Sequence, residues 1–133
     1  MDCIFCKIVA GELPATIVRS DERTLAFMDI APGTRGHCLV IPRAHATDLT
    51  DVPPDDLAAC ARAAQDLARR ALDGLGADGV NLINSCRRAA WQTVFHFHVH
   101  VIPRYTGDGL VLPWTPAAAD PAELESAAAI LRA

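Results

Sequence analysis

The run from Val94 to Pro103 alternates histidines with apolar residues, and it constrains the fold of this chain more than any other segment. Its centre reads His-Phe-His-Val-His, so three of the five histidines of the chain occupy every second position. Successive side chains of a β-strand point to opposite faces of a sheet, so a strand here has one histidine face and one apolar face against a core. The histidines are His96, His98 and His100, and the apolar residues are Phe95, Phe97, Val99 and Val101.

A row of imidazoles can carry two kinds of chemistry. A neutral imidazole attacks phosphorus at neutral pH without being deprotonated first, because its pKa lies near about 6.5. A second, protonated imidazole beside it can hydrogen-bond a phosphate oxygen or assist the leaving group. Two alternate strand histidines can equally ligate zinc. The row therefore predicts a phosphate site or a metal site rather than three structural histidines, and the pattern alone leaves open which of the two it is.

The composition is that of an ordinary globular domain. With 133 residues, of which 51% are hydrophobic and 21% charged, the chain is long enough for one domain with a core. The net charge of −4 argues against a surface that binds nucleic acid through its phosphates. A small anion can still bind where the local charge is positive.

The apolar segments and the cysteines indicate the compartment. We see no basic region followed by a long apolar one at the N-terminus, and no apolar run approaches the ~20 residues of a membrane span. The five cysteines are odd in number and irregularly spaced, which favours reduced thiols over a disulfide framework. We therefore expect a cytoplasmic protein with no membrane partner and no nucleic-acid partner.

Turn residues and hydrophobic periodicity predict a single α+β domain over 1–133. Apolar residues at a 3-and-4 spacing predict one long helix that begins at Pro53–Pro54 and ends at Gly74–Gly76. Strands in hairpin order predict an antiparallel sheet with helices packed on one face. The predicted strands are 16–19, 24–28, 37–41, 79–84 and 92–103; a short helical segment covers 3–10, and a capped helix from Asp120 to Leu131 ends an extension, 111–133, of a core at 1–110.

A second chemical signal is the Cys3-Ile-Phe-Cys6 sequence at the N-terminus. A single Cys-x-x-Cys pair is half of a zinc site, a redox pair or a coincidence. Structural zinc sites need four ligands, so two more must come from elsewhere in the chain. A redox pair typically follows a strand in a thioredoxin-like βαβ unit, and this pair does not. We therefore rank a zinc half-site above a redox pair, and a redox pair above a coincidence.

The segment His96-Phe-His-Val-His100-Val-Ile resembles the motif that names the histidine triad (HIT) superfamily. The similarity covers nearly the whole chain in order and spacing. The Cys-x-x-Cys pair together with Pro103-Arg104 resembles small bacterial HIT proteins of the nucleoside phosphoramidase type. Further matching segments are Phe5-Cys-Lys-Ile8, Ala26-Phe-Met-Asp-Ile30, Gly36-His-Cys-Leu-Val-Ile-Pro42, Asn84 and Gln92-Thr-Val-Phe-His96.

This resemblance implies a hydrolase that acts on the α-phosphate of purine nucleotides. His98 is expected to attack the phosphorus and form a nucleotidyl-histidine, which water then hydrolyses. Asp29 is expected to accept hydrogen bonds from the ribose, since a vicinal diol offers two donors. The other implied catalytic residues, around the phosphate, are His100, His37 and Gln92; the other implied nucleotide-binding residues are Phe5, Ile8, Phe27 and Ile30 around the base, with Asn84 and Thr93.

The resemblance also implies a metal site and an assembly. The first histidine of the triad is expected to complete a structural zinc site with the two cysteines and one more histidine, and no organic cofactor is expected. The fold implied is a five-stranded antiparallel sheet with one long helix and short terminal helices. Two copies are expected to form a homodimer with a continuous ten-stranded sheet. The implied zinc ligands are Cys3, Cys6, His45 and His96.

One segment departs from the resemblance and keeps other functions open. Trp91 stands where many relatives have a small residue, and Arg87 and Arg88 stand where relatives often have acidic residues and glycine. The two arginines mildly favour a dinucleoside polyphosphate hydrolase that uses the same residues on another leaving group. A third alternative is a nucleotide- or metal-binding regulatory module whose turnover is incidental.

Overall fold

The computed structural model describes residues 2–133 and contains five strands, three α-helices and one 3-10 turn within that range. The predicted elements are confirmed in type and order, apart from the extent of the histidine strand. No helix within 2–133 combines the length and apolar character needed to cross a bilayer. The elements are α1 (Ile4–Val9), β1 (Ile17–Ser20), β2 (Thr24–Met28), β3 (Cys38–Pro42), α2 (Pro54–Gly74), β4 (Gly79–Ile83), the 3-10 turn (Arg88–Ala90), β5 (Val99–Arg104) and α3 (Pro121–Arg132).

The five strands form one antiparallel sheet in the order β1-β2-β3-β5-β4. In the centre of the sheet, His100 of β5 lies between Leu39 of β3 and Ile83 of β4. On the other side of β3, Met28 at the end of β2 pairs with Cys38 at the start of β3. Asp29 therefore follows β2 and His37 precedes β3 at the same end of the sheet. The register therefore brings three chemically reactive side chains to the same end of the sheet.

The two faces of the sheet are covered by different helices. Alternation along β2 sends Ala26 toward α2 and Phe27 toward the opposite face, where α1 contributes Phe5. The prediction that the helices pack on one face is therefore wrong. The six residues of α1 were too short to show periodicity, but they bury Phe5 against the sheet and form a second core.

Small residues let α2 lie close to the sheet. Alanines and Cys60 occupy most of its buried positions, and Leu67 adds one large side chain. Pro54 stands in the first turn, where its missing N–H costs nothing, and Asp55 and Asp56 complement the helix dipole there. The helix ends at Gly74, as the sequence predicts.

The histidine strand is shorter than predicted, because β5 begins at Val99 rather than at Gln92. Pairing of β5 with β3 stops at Val40, and the carbonyl of Pro42 farther along β3 binds the imidazole of His96 at 2.8 Å. Pro42 also has no N–H to offer to a ladder. His96 and His98 therefore precede the strand in an extended, bent segment.

The predicted alternation nevertheless holds across most of this segment. Phe97 is buried in the core under α2, and Val99 packs against the same cluster. His96 and His98 lie on the other side, in contact with the ring of Phe5. Phe95 is the exception, since it is only half-buried and carries the guanidinium of Arg88 over its ring at 5.0 Å.

The turn between β1 and β2 depends on the carboxylate of Asp21. It accepts hydrogen bonds from the backbone amides of Arg23 and Thr24 at 2.9 and 2.7 Å and from the hydroxyl of Thr24 at 2.8 Å. Arg19 pairs with the same carboxylate. Burial tends to raise the pKa of Asp21, but these hydrogen bonds lower it to about 2.

We expect Asp21→Asn to lower the free energy of unfolding by about 1 kcal/mol at pH 7, a value reduced for the partial exposure of the side chain. The folded pKa lies below the unfolded one, so this stabilisation is present above about pH 4 and is lost as the pH falls toward 2. Urea unfolding at several pH values measures it. The exposed neighbour Glu22→Gln is the control, and an Asp21→Asn deficit that persists undiminished at pH 2 would contradict the argument.

Candidate active site and metal site

A cavity of about 400 Å³ opens at the end of the sheet where Asp29 and His100 lie. Apolar side chains line most of its wall, and the polar groups gather at one end. Six of the seven residues predicted to bind a nucleotide line the cavity, together with two of the triad histidines. These residues are Phe5, Ile8, Phe27, Asp29, Ile30, Thr93, His98 and His100.

The aromatic wall of the cavity is also part of the protein core. Phe5 and Phe27 are buried and meet edge to face, with ring centroids 5.3 Å apart. Ile30, in contrast, is fully exposed at the rim. Leu13, Pro14 and Ala15 line the cavity as well. No motif or periodicity in the sequence singles out these three residues.

The imidazole of His98 is held in one tautomer. Its Nδ1 lies 2.7 Å from the carbonyl oxygen of His96, which can only accept, so Nδ1 carries the proton and Nε2 carries a lone pair. The edge of the Phe5 ring, 5.2 Å away between centroids, restricts the imidazole further. Burial lowers the pKa of His98, although the His96 carbonyl and Asp29 act in the opposite direction. At neutral pH the ring is therefore neutral and nucleophilic at Nε2.

His37, His100 and Asp29 form a connected group beside His98. The Nε2 of His37 lies 2.9 Å from Nδ1 of His100 and 3.4 Å from a carboxylate oxygen of Asp29. His100 lines the cavity, whereas His37 is 7% exposed and stands behind it. Burial, followed by the neighbouring His98 and His37, lowers the pKa of His100 to about 4.

The structure does not bring Gln92 or Asn84 into the cavity lining. The side-chain amide of Gln92 is buried, donates to the carbonyls of Thr47 and Val94, and accepts from the backbone N–H of Arg87. Gln92 thus holds the loop that follows β4, and the catalytic role implied by the resemblance stays a prediction. Asn84 donates to the His98 carbonyl at 2.9 Å and so supports the segment from behind.

The loop held by Gln92 has two residues with unusual backbone angles. Arg87 has φ 75° and ψ 164°, a conformation that is nearly exclusive to glycine, and Trp91 is left-handed at φ 74°. The guanidinium of Arg87 lies 3.6 Å from Asp48, and that of Arg88 stacks on Phe95. Both arginines therefore already have partners within the protein.

The four predicted zinc ligands meet on the other side of His96. Sγ of Cys6 lies 3.4 Å from Nδ1 of His45 and 3.5 Å from Nδ1 of His96, and Sγ of Cys3 lies 3.5 Å from the same His96 nitrogen. Zn–S bonds of about 2.3 Å and Zn–N bonds of about 2.0–2.1 Å give sulfur–nitrogen edges of about 3.5–3.6 Å in a tetrahedral site. The separations thus fit a two-sulfur, two-nitrogen zinc site.

The tautomer of His96 fits metal binding as well. Its Nε2 lies 2.8 Å from the carbonyl oxygen of Pro42 and must donate, which leaves the lone pair on Nδ1, the atom that faces the two thiols. A backbone carbonyl in this role orients many metal-bound histidines. The donor set and its supporting hydrogen bond are therefore consistent with a closed structural zinc site.

Comparison with known proteins identifies the family of this chain. The sequence model of the HIT domain matches residues 10–107. The chain belongs to the histidine triad (HIT) family. An uncharacterized HIT-like protein of Mycobacterium tuberculosis is 48% identical over 110 residues, which are 83% of this chain and 76% of that protein.

Two further relatives carry informative names. The adenosine 5′-monophosphoramidase of Schizosaccharomyces pombe is 35% identical over 127 residues, covering 95% of this chain and 92% of its own. A zinc-bound histidine triad family protein from Mycobacterium smegmatis, known from its crystal structure, is 47% identical and covers 99% of this chain and 96% of that one. Its TM-score of 0.81 confirms the HIT fold.

We expect Cys6→Ser to lower the zinc content and the stability of this HIT protein together. Loss of a structural metal is a strongly destabilising event, so we expect a cost of about 3 kcal/mol and a melting temperature lower by about 10 °C. Elemental analysis and thermal unfolding measure the two effects. Cys86→Ser, a thiol outside the cluster, is the matched control, and equal zinc content in both variants would refute the assignment.

Proposed function

We propose that this HIT protein hydrolyses purine nucleoside 5′-phosphoramidates and related adenylates through a nucleotidyl-histidine at His98. The observation that carries the proposal is the neutral His98, with its proton held on Nδ1, in the wall of a cavity that has an apolar side and a carboxylate. The name of the S. pombe relative, a monophosphoramidase, supports the same reaction class. The family supports nucleotide chemistry in general, and the leaving group is our inference.

The cavity suits an AMP-type nucleotide. A volume of about 400 Å³ with a mainly apolar lining is typical of a small-ligand site, and the Phe5–Phe27 wall can hold a purine ring. One oxygen of the Asp29 carboxylate already accepts the amide of Ala31 at 2.8 Å. A carboxylate has about four lone-pair positions, so Asp29 can still accept both ribose hydroxyls.

The chemistry follows from the two imidazoles that line the cavity. Nε2 of His98 attacks the α-phosphorus, the phosphorus–nitrogen bond breaks, and the amine leaves with a proton taken from solvent, to which the attacking water of the second step returns one. Nδ1–H of His98 stays bonded to the His96 carbonyl and stabilises the positive charge that the ring acquires. A water molecule then attacks the same phosphorus, releases AMP and regenerates the neutral histidine. His100 holds a phosphoryl oxygen through both steps.

We further propose that zinc in the Cys3, Cys6, His45 and His96 cluster has a structural role. Bound zinc would tie α1 and the segment before β5 together, while the Pro42 carbonyl orients His96. Since α1 supplies Phe5 to the cavity wall, this tie positions the wall relative to His98. No step of the reaction uses the metal.

A homodimer is the assembly that we propose. β4 is an edge strand of the sheet, and its residues Leu82 and Ile83 are exposed. An exposed apolar edge strand is a template for pairing with another chain. Antiparallel pairing of two β4 edges would produce the ten-stranded sheet that the resemblance implies.

We expect His98→Asn to reduce kcat for AMP release from adenosine 5′-phosphoramidate at least about 10³-fold. The asparagine amide can keep the hydrogen bond to the His96 carbonyl, so the substitution removes Nε2 and leaves the local structure in place. Calorimetry with AMP serves as the control and should show binding within about threefold of the wild type. An unchanged rate would refute the nucleophile, and binding with no adenylyl adduct in the wild type would favour a regulatory module.

We expect kcat/KM for the phosphoramidate to exceed that for a diadenosine polyphosphate by at least about tenfold. Neither arginine lines the cavity: the guanidinium of Arg87 is paired with Asp48, and that of Arg88 is held over the Phe95 ring. Steady-state kinetics on both substrates measures the ratio. The reverse preference, together with its loss in Arg87→Ala, would instead support the dinucleoside polyphosphate hydrolase.

A further inference from the structure

Both ring nitrogens of His37 are engaged by the protein, and one partner is unambiguous. The backbone N–H of Gly33 donates to Nδ1 of His37 at 2.9 Å. A backbone amide can only donate, so this nitrogen must carry a lone pair. A neutral histidine has one proton on its ring, which therefore sits on Nε2.

The contacts of Nε2, the other ring nitrogen of His37, independently indicate the same tautomer. Nε2 lies 3.4 Å from a carboxylate oxygen of Asp29 and 2.9 Å from Nδ1 of His100. A carboxylate only accepts, so a lone pair on Nε2 would face a negative oxygen. With the proton on Nε2, His37 can donate to His100 and attract Asp29.

The hydrogen bond from His37 in turn determines the tautomer of His100. Its Nδ1 accepts from His37, so the proton of its neutral ring sits on Nε2. Burial lowers the pKa of both His37 and His100, which keeps both rings neutral at pH 7. His100 is thereby the opposite tautomer of His98, whose proton the His96 carbonyl holds on Nδ1.

We propose that the Gly33 amide is a positioning group that acts through His37 and makes His100 a hydrogen-bond donor at Nε2. The inference rests on the proposed function only for what that donor does, which is to hold a phosphoryl oxygen while His98 attacks. The His96 carbonyl holds the proton of His98 on Nδ1 and leaves Nε2 as an acceptor. The Gly33 amide acts through His37 and leaves His100 with its proton on Nε2, as a donor. His37 is thus a positioning residue and does not itself contact the phosphate.

The geometry at Gly33 supplies a clean pair of variants. A Cβ added to Gly33 would lie 3.7 Å from Nδ1 of His37 and 3.8 Å from the Leu110 side chain, which is ordinary contact. Gly33→Ala therefore keeps the N–H and the turn. Replacing Gly33 by glycolic acid converts the amide to an ester and removes only the donor. The two proteins differ in the hydrogen bond that the proposal requires.

The tautomers are read directly by long-range ¹H–¹⁵N correlation NMR on the zinc-loaded protein with ¹⁵N-labelled histidines. In the wild type and in Gly33→Ala we expect His37 and His100 protonated on Nε2 and His98 on Nδ1. In the ester variant we expect a mixture of tautomers at His37 and His100. For AMP release we expect kcat to fall roughly 3- to 10-fold in the ester variant with KM little changed.

A wild-type His37 or His100 protonated on Nδ1 would overturn the proposal, and so would an ester variant with unchanged tautomers. The wild-type spectrum decides the matter even if the ester variant fails to fold. Because the spectra need no substrate, a protein without phosphoramidase activity but with the expected tautomers would contradict the proposed function and leave the positioning role standing.

Discussion

The hydrogen bond between Nε2 of His96 and the carbonyl of Pro42 connects most of what is distinctive in this structure. It engages the backbone carbonyl of Pro42 at the end of β3, beyond the last β3–β5 pair, where the segment before Val99 has left the sheet. It also leaves the Nδ1 lone pair of His96 facing the thiols of Cys3 and Cys6. The backbone of the same residue then holds the proton of His98. One residue thus joins the proposed metal cluster, the end of the sheet and the proposed nucleophile.

All five histidines of the chain take part in these two neighbouring sites, and hydrogen-bond partners divide the work among them. A carbonyl acceptor leaves His96 a lone pair on Nδ1 for the proposed metal, and another leaves His98 a lone pair on Nε2 for the proposed attack on phosphorus. The N–H of Gly33 instead donates to Nδ1 of His37 and leaves the proton of that ring on Nε2. Through His37, the same donor leaves the proton of His100 on Nε2. The proton positions of four buried or half-buried rings therefore depend on backbone atoms of Pro42, His96 and Gly33. Side chains of one type acquire different chemistry because the surrounding backbone differs.

The sequence predicted the elements well because their signals are local. The Pro53–Pro54 start and the alanine-rich stripe define α2, and polar turns separate β1, β2 and β3. The extent of β5 was wrong because the bond between His96 and Pro42 is long-range, and no periodicity reports it. The prediction that the helices pack on one face of the sheet was also wrong, because the six residues of α1 are too few to show a hydrophobic period. The hydrogen bonds of the buried Gln92 amide with backbone groups of Thr47, Arg87 and Val94 are another feature that periodicity does not report.

By itself, the sequence determined the order of the elements and the alternation of histidines with core residues, because these follow from residue type and spacing, which are properties of the chain. The ligand set of Cys3, Cys6, His45 and His96 was expected only because the resemblance to the histidine triad family implies it. Only the tertiary structure decided that α1 closes the opposite face, that His37 stands behind His100, and that an amide from the 29–36 loop reaches its ring. Such features depend on which backbone donor or acceptor lies within about 3 Å of each ring, and that is settled by the packing of distant segments.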